Sequence, residues 1–205
     1  GRFYVSPNGK RYPSVTTVIG YHTREDILKW KNRVGEEQAN KVSRAAANRG
    51  TALHKVCENY LLNKEYKKDV MPTTLDLFGK IKGFLDDNIT KVLAIETAMY
   101  SDYLKVGGRL DAAVNWNGRN SILDFKTASK AKKEEWIDIY FWQTAIYAVM
   151  FEERTGIPIP QIVIVMAPDD ASPGQLFIKK RDDYINDAVK LIKKYYEYTA
   201  SKTLP

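Results

Sequence analysis

The stretch LKVGGRLDAAVNWNGRNSILDFKT, residues 104–127, holds two runs of strand-forming residues joined by Asn117-Gly118. Asn-Gly is the favoured pair for a two-residue type I′ hairpin loop. Such a loop sets Trp116 opposite Arg119 and, counting outward along both runs, Asp111 opposite Asp124. Alternate residues of a strand share a face. Asp111, Asp124 and Lys126 are therefore expected on one side of the hairpin, with Leu110, Leu123 and Phe125 on the other.

Like charges directly opposed on a sheet are destabilising, and each carboxylate raises the pKa of the other. A divalent cation between them resolves the conflict, and hard oxygen ligands suit Mg²⁺ or Mn²⁺. An alternative is a solvent-exposed sheet edge, where the two aspartates are tied to Arg109 and Lys126.

Outward from this hairpin the pattern alternates between helix and strand. Arg2–Val5 and Lys10–Tyr12 flank Pro7-Asn8-Gly9 as a small terminal hairpin, and Ser14 caps a short helix over Val15–Gly20. Residues 26–62 read as helical with a break near Gly35, 64–74 as a polar loop, and 75–88 as a helix. A first sheet strand is expected over Val92–Tyr100. After the central hairpin come a long buried helix from Glu134 to Thr155, a covered apolar strand over Gln161–Ala167 and a short strand over Gln175–Lys180. An amphipathic helix from Asp182 to Thr199 closes the chain. The reading is an α/β mixed sheet with helices on both faces, preceded by an N-terminal helical extension.

Gly50, His54 and Glu58 are spaced four apart and share one helical face. Glycine inside a helix costs ~1 kcal/mol relative to alanine, which points to something approaching the backbone closely. A single helical histidine also reads as a packed or exposed side chain, and His22 has no partner motif. Trp136, Tyr140, Gln143 and Tyr147 form a second stripe; it reads as core, in which a buried Gln143 needs hydrogen-bonding partners. Lys41, Arg44, Asn48 and Arg49 fall at helical spacing as either a solvated basic face or a nucleic-acid track.

Composition narrows the function classes. Thirty-two Lys and Arg against 25 Asp and Glu leave a net charge of +7, which suits a polyanionic partner without requiring one. Cys57 is the only cysteine, excluding an internal disulfide, a cysteine zinc site and a four-cysteine iron–sulfur cluster. The longest strictly apolar run, Ala145–Phe151, is far short of the ~18 residues of a membrane span. The chain starts at Gly1 without a signal-peptide pattern, so a processed or trimmed start is expected.

These elements together resemble the RecB-like branch of the PD-(D/E)XK nucleases. Gly50-x-x-x-His54 is similar to that branch's helical motif and Gly108-Arg109-Leu110-Asp111 to its G-x-x-D strand, with Leu110 where proline would stand in the name motif. Asp124-Phe125-Lys126 matches (D/E)-x-K, and Gln143-x-x-x-Tyr147 resembles the closing helical motif. Pro13–Val18 is similar to a segment of phage exonucleases and the mitochondrial genome maintenance exonuclease. The resemblance implies a restriction-endonuclease-like core over about residues 46–200, with residues 1–45 as hairpin and helical extension of one nuclease domain.

It further implies Mg²⁺ or Mn²⁺ held by His54, Asp111, Asp124 and the Phe125 carbonyl, with Lys126 orienting the attacking water or stabilising developing charge. Glu96 is either a further metal ligand or a salt-bridge partner of Arg109, and Glu58 a supporting residue behind the ligands. Gln143, Tyr147, Arg49, Arg44 and Lys41 are expected to contact substrate, Gln143 and Tyr147 alternatively supporting the lysine. The implied activity is a DNA exonuclease on single-stranded ends in replication, repair or recombination, with unidentified protein partners and no membrane. Endonuclease action and a non-catalytic nucleic-acid-binding module are the alternatives. The setting expected is intracellular, either a bacterial or phage-infected cytoplasm or a mitochondrial matrix.

Overall fold

A computed structural model of the chain describes residues 1–202. Strands β1 (Phe3–Val5) and β2 (Arg11–Pro13) form the terminal antiparallel hairpin. Helices α1 (Val15–Val34), α2 (Glu36–Leu61) and α3 (Pro72–Asn88) follow. Strands β3 (Ile89–Ser101), β4 (Val106–Trp116) and β5 (Arg119–Ala128) lead to α4 (Asp138–Thr155). The chain continues through β6 (Gln161–Pro168), β7 (Gln175–Lys180) and α5 (Asp182–Ser201). The five-stranded sheet has the order β3-β4-β5-β6-β7, antiparallel except for the β5–β6 pair.

The parallel pair follows from the apolar run of β6, every residue of which is buried. One sheet face packs Leu110, Ile122 and Ile164 against α4, with α1 and α5 on the same side. The opposite face packs Leu123, Phe125 and Val165 against Leu53 and Val56 of α2 and Phe78 and Ile81 of α3. Helices therefore cover both faces, as expected. Among the described residues no helix is long and apolar enough to cross a membrane.

The turn at Asn117-Gly118 has both residues at positive φ (49° and 86°), as a type I′ loop requires. The predicted register holds from Trp116–Arg119 to Ala112–Leu123 and stops there, one pair short of Asp111–Asp124. On the other side of β4, Ile95 pairs with Ala112 and Thr97 with Leu110, and no ladder pair joins Glu96 to Asp111. Glu96 itself takes φ 46°. The pleat is thus broken at Asp111, which corrects one expectation: Leu110 packs with Ile122, on the face opposite Leu123 and Phe125.

Two boundaries also differ from the sequence reading. Ser14 does cap α1 through its hydroxyl and Thr17 N, but the helix runs through Gly20 for a further 14 residues to Val34 before breaking at Gly35 (φ 88°). Tyr21, on that continuation, meets Tyr195 edge-on and Tyr198 at a tilt on α5, a long-range packing that outweighs glycine's weak helix propensity. Trp136 lies outside α4, on a 3₁₀ turn over Glu134–Trp136, and is 61% exposed rather than part of a core stripe.

Adjacent glycines on β4 admit two tyrosines. A Cβ at Gly107 would lie 2.5 Å from Tyr4 Cβ, and one at Gly108 would lie 2.5 Å from Tyr147 Cε1. The terminal hairpin is thereby seated on β4, helped by a bridge between Ser14 and Gly107. Gly107→Ala should cost ~1–3 kcal/mol by overpacking, because Tyr4 Cβ is fixed to backbone and cannot swing away. A urea melt checks this: an unchanged midpoint means the hairpin does not sit on β4.

Candidate active site

The site lies where β4, β5, α2 and α4 meet. Asp124 is buried on β5, its Oδ2 2.5 Å from Lys126 Nζ. The two are in direct ionic contact, and the oxygen is shut off from water. Burial pushes the Asp124 carboxyl up to about 6 against the pull of Lys126. Lys126 Nζ donates to Gln143 Oε1 (3.1 Å), and Gln143 Nε2 donates to the Tyr147 hydroxyl (3.3 Å). The Tyr140 ring stands 5.1 Å from the same ammonium. The half-buried Gln143 thus has hydrogen-bonding partners, and its acceptor serves the lysine.

His54 faces this strand from α2. Its Nε2 donates to the Phe125 carbonyl (2.8 Å) and its Nδ1 lies 3.1 Å from Asp111 Oδ1. With both ring nitrogens on acceptors the imidazolium is favoured. Burial opposes that charge, but Asp111 and Asp124 outweigh it and push the pKa up to about 9. Asp111 Oδ2 accepts from Phe125 N (2.8 Å), taking the place of the ladder partner lost where the β4–β5 pairing stops.

Ligand atoms of His54, Glu96 and Asp111 all lie within 4.8 Å of one another. The break in the pleat brings this about, since it turns Glu96 and Asp111 out of the regular ladder. Glu96 also stands 3.7 Å from Arg109, so both roles expected of it are in reach. Burial and the Asp111 charge raise its pKa. Asp124 lies outside this trio, as does Glu58, which pairs with Lys55 at 2.9 Å. One imidazole, two carboxylates and a carbonyl, with the Asp124 carboxylate behind them, form a donor set suited to a divalent cation.

A cleft of about 460 Å³ opens over the trio, lined in part by Gly50, His54, Glu58, Arg109 and Asp111. The close approach to Gly50 expected from the sequence is not made by the chain itself. A Cβ there would meet only Thr127 Oγ1, at an ordinary 3.9 Å. Arg2 of the terminal hairpin also lines this cleft. No local pattern marks Arg2; the hint lay in Gly107, whose missing side chain lets Tyr4 of the hairpin close on β4. Lys41 and Arg44 are exposed along α2, whereas Arg49 is tied at 3.1 Å to Asp169, a partner 120 residues away that no local pattern marks.

Comparison with known proteins bears on the same residues. The profile of the PD-(D/E)XK nuclease superfamily matches residues 23–169. No curated protein matches the chain. Among solved structures, an assigned exonuclease of Eubacterium rectale is similar with TM-score 0.53 and 12% identity over 73% of this chain, which spans 65% of that protein. A phage-related exonuclease from Haemophilus somnus 129PT shares 16% identity over 63% of this chain and 79% of its own, with TM-score 0.33. The first likeness speaks for the fold, and the second carries no structural argument. The superfamily profile takes in well over half of the sequence, including His54, Asp111, Asp124, Lys126 and Gln143: the chain belongs to the PD-(D/E)XK nuclease superfamily.

Proposed function

We propose that this nuclease hydrolyses DNA in a reaction dependent on Mg²⁺ or Mn²⁺, as an exonuclease on single-stranded ends, and serves replication, repair or recombination. The observation that carries the reading is the buried Asp124–Lys126 pair beside the cluster of His54, Glu96 and Asp111. His54, Asp111, Asp124, Glu96 and the Phe125 carbonyl are the groups that would hold the cation. The chemistry a bound Mg²⁺ or Mn²⁺ supplies is acidification of a water and withdrawal of charge from the scissile phosphate.

Lys126 has three N–H donors, one given to Gln143 and one facing Asp124, which leaves one for a phosphate oxygen or the attacking water. Gln143 and Tyr147 hold that ammonium in place from α4. Exposed Lys41 and Arg44 lie on the helix that leads into Gly50 and His54, where they can guide phosphates towards the cleft.

Chelation with EDTA should stop cleavage, and excess Mg²⁺ should restore it; full activity in EDTA would count against the assigned donor set. Lys126→Ala should lower turnover by ~10²–10³, the range seen when one preorganised donor to developing charge is removed. It should also lower the melting temperature, because Asp124 is left as an unpaired buried carboxylate. Near wild-type turnover in a folded Lys126→Ala protein rules out the role given to the ammonium.

End recognition is tested with one single strand in two forms, circular and linearised. The linear form should be degraded and the circle left intact. Equal rates on both would make the enzyme an endonuclease. Charge reversal at Lys41 and Arg44 should weaken DNA binding and flatten its dependence on salt, measured by titration at several ionic strengths.

A further inference from the structure

The tryptophan that the sequence assigned to a core stripe is an exposed aromatic on the connection between β5 and α4. Trp136 is 61% exposed, yet its segment is pinned on both sides. Upstream, Gln175 grips the backbone of Lys132 with both ends of its amide: Lys132 N donates to Oε1 and Nε2 donates to Lys132 O, each at 2.8 Å. Glu134 is paired with Lys179. Downstream, Ile137 is buried in the core. The indole is thus held out by an anchored turn and does not ride on a loose loop. Four residues further along the chain, inside α4, comes Tyr140, whose ring stands 5.1 Å from Lys126 Nζ.

Cations are concentrated on this connection. Lys130, Lys132 and Lys133 lie between the end of β5 and the 3₁₀ turn. Lys133 Nζ stands 5.2 Å from the Trp136 ring and 4.0 Å from Glu135. Among the described residues, no carboxylate lies within ion-pair distance of Lys130 or Lys132. Lysines without acidic partners next to a fixed, open aromatic face form the combination that binds single-stranded nucleic acid, with a base stacked on the ring and phosphates on the ammonium groups. A paired duplex does not offer its base faces to such a ring.

We propose that Trp136, with Lys130 and Lys132, is a landing platform for single-stranded DNA on the connection between α4 and β5, the strand that carries Lys126. It rests on the nuclease reading above and adds a binding element to it. The test is the affinity of fluorescein-labelled oligo-dT in EDTA, followed by anisotropy, for the full chain and its variants. Trp136→Ala should raise Kd by about tenfold or more, and Trp136→Tyr, which keeps a stacking face, should stay within about threefold of wild type. Joint reversal of Lys130 and Lys132 to Glu should flatten the slope of log Kd against log salt by about one. Kd for a blunt duplex should not respond to Trp136→Ala.

A Trp136→Ala protein that binds oligo-dT within twofold of wild type overturns the platform, even if it cleaves DNA normally. Binding that depends on Trp136 in a protein that cleaves nothing leaves the platform standing and overturns the proposed activity. Failure of the wild-type chain to bind oligo-dT overturns both.

Discussion

Strands β5 and β6 run parallel and are shut off from water on both faces, and much of the remaining architecture answers that burial. Two covered faces need helices on each side, and a parallel pair needs a crossover long enough to return the chain. The crossover is α4, so the helix that carries Gln143 and Tyr147 is the one laid over Lys126. Burial also governs which charges β5 can hold. An unpaired ion inside a protein costs several kcal/mol, so Asp124 is held beside Lys126, and Lys126 with Gln143. The polar residues of the site form a connected chain because isolated ones would not survive in that position.

The constraint is felt one strand away. Asp111 occupies the place where the β4–β5 ladder stops, and it makes good the loss by accepting the Phe125 amide while facing His54. Its carboxylate thereby belongs to the sheet and to the cleft together. The same junction receives Tyr147 over Gly108, so α4, β4 and α2 are all in register with one short segment of backbone.

How far this was legible in the sequence depends on the range of the forces involved. Asn117-Gly118 fixes a local geometry, and the register it implied is present down to Ala112–Leu123. The uninterrupted apolar run of β6 and the punctuation at Gly35 and Gly156 were equally readable, since each acts through its own residues. The side on which Leu110 packs was not, because strict alternation cannot anticipate a break that depends on Glu96, on another strand. Trp136 fits a helical spacing with Tyr140 and Gln143, but the turn beneath it is set by Gln175 and Lys179, some 40 residues on in the chain. The hydrogen bond between His54 and Phe125 spans 71 residues and follows only from the packing of α2 on the sheet; its motif resemblance pointed to the residue, not to the contact.

The irregularity at Glu96 has a second effect. β3 is one margin of the sheet and, at 13 residues, a long one. A flat margin of that length offers a row of free amides and carbonyls on which another chain can crystallise as an added strand. Two register shifts near its start and the left-handed residue at Glu96 interrupt that row in three places, while the opposite margin, β7, ends in Lys179 and Lys180. The distortion that turns a carboxylate towards the cleft also leaves the sheet a poor template for self-association.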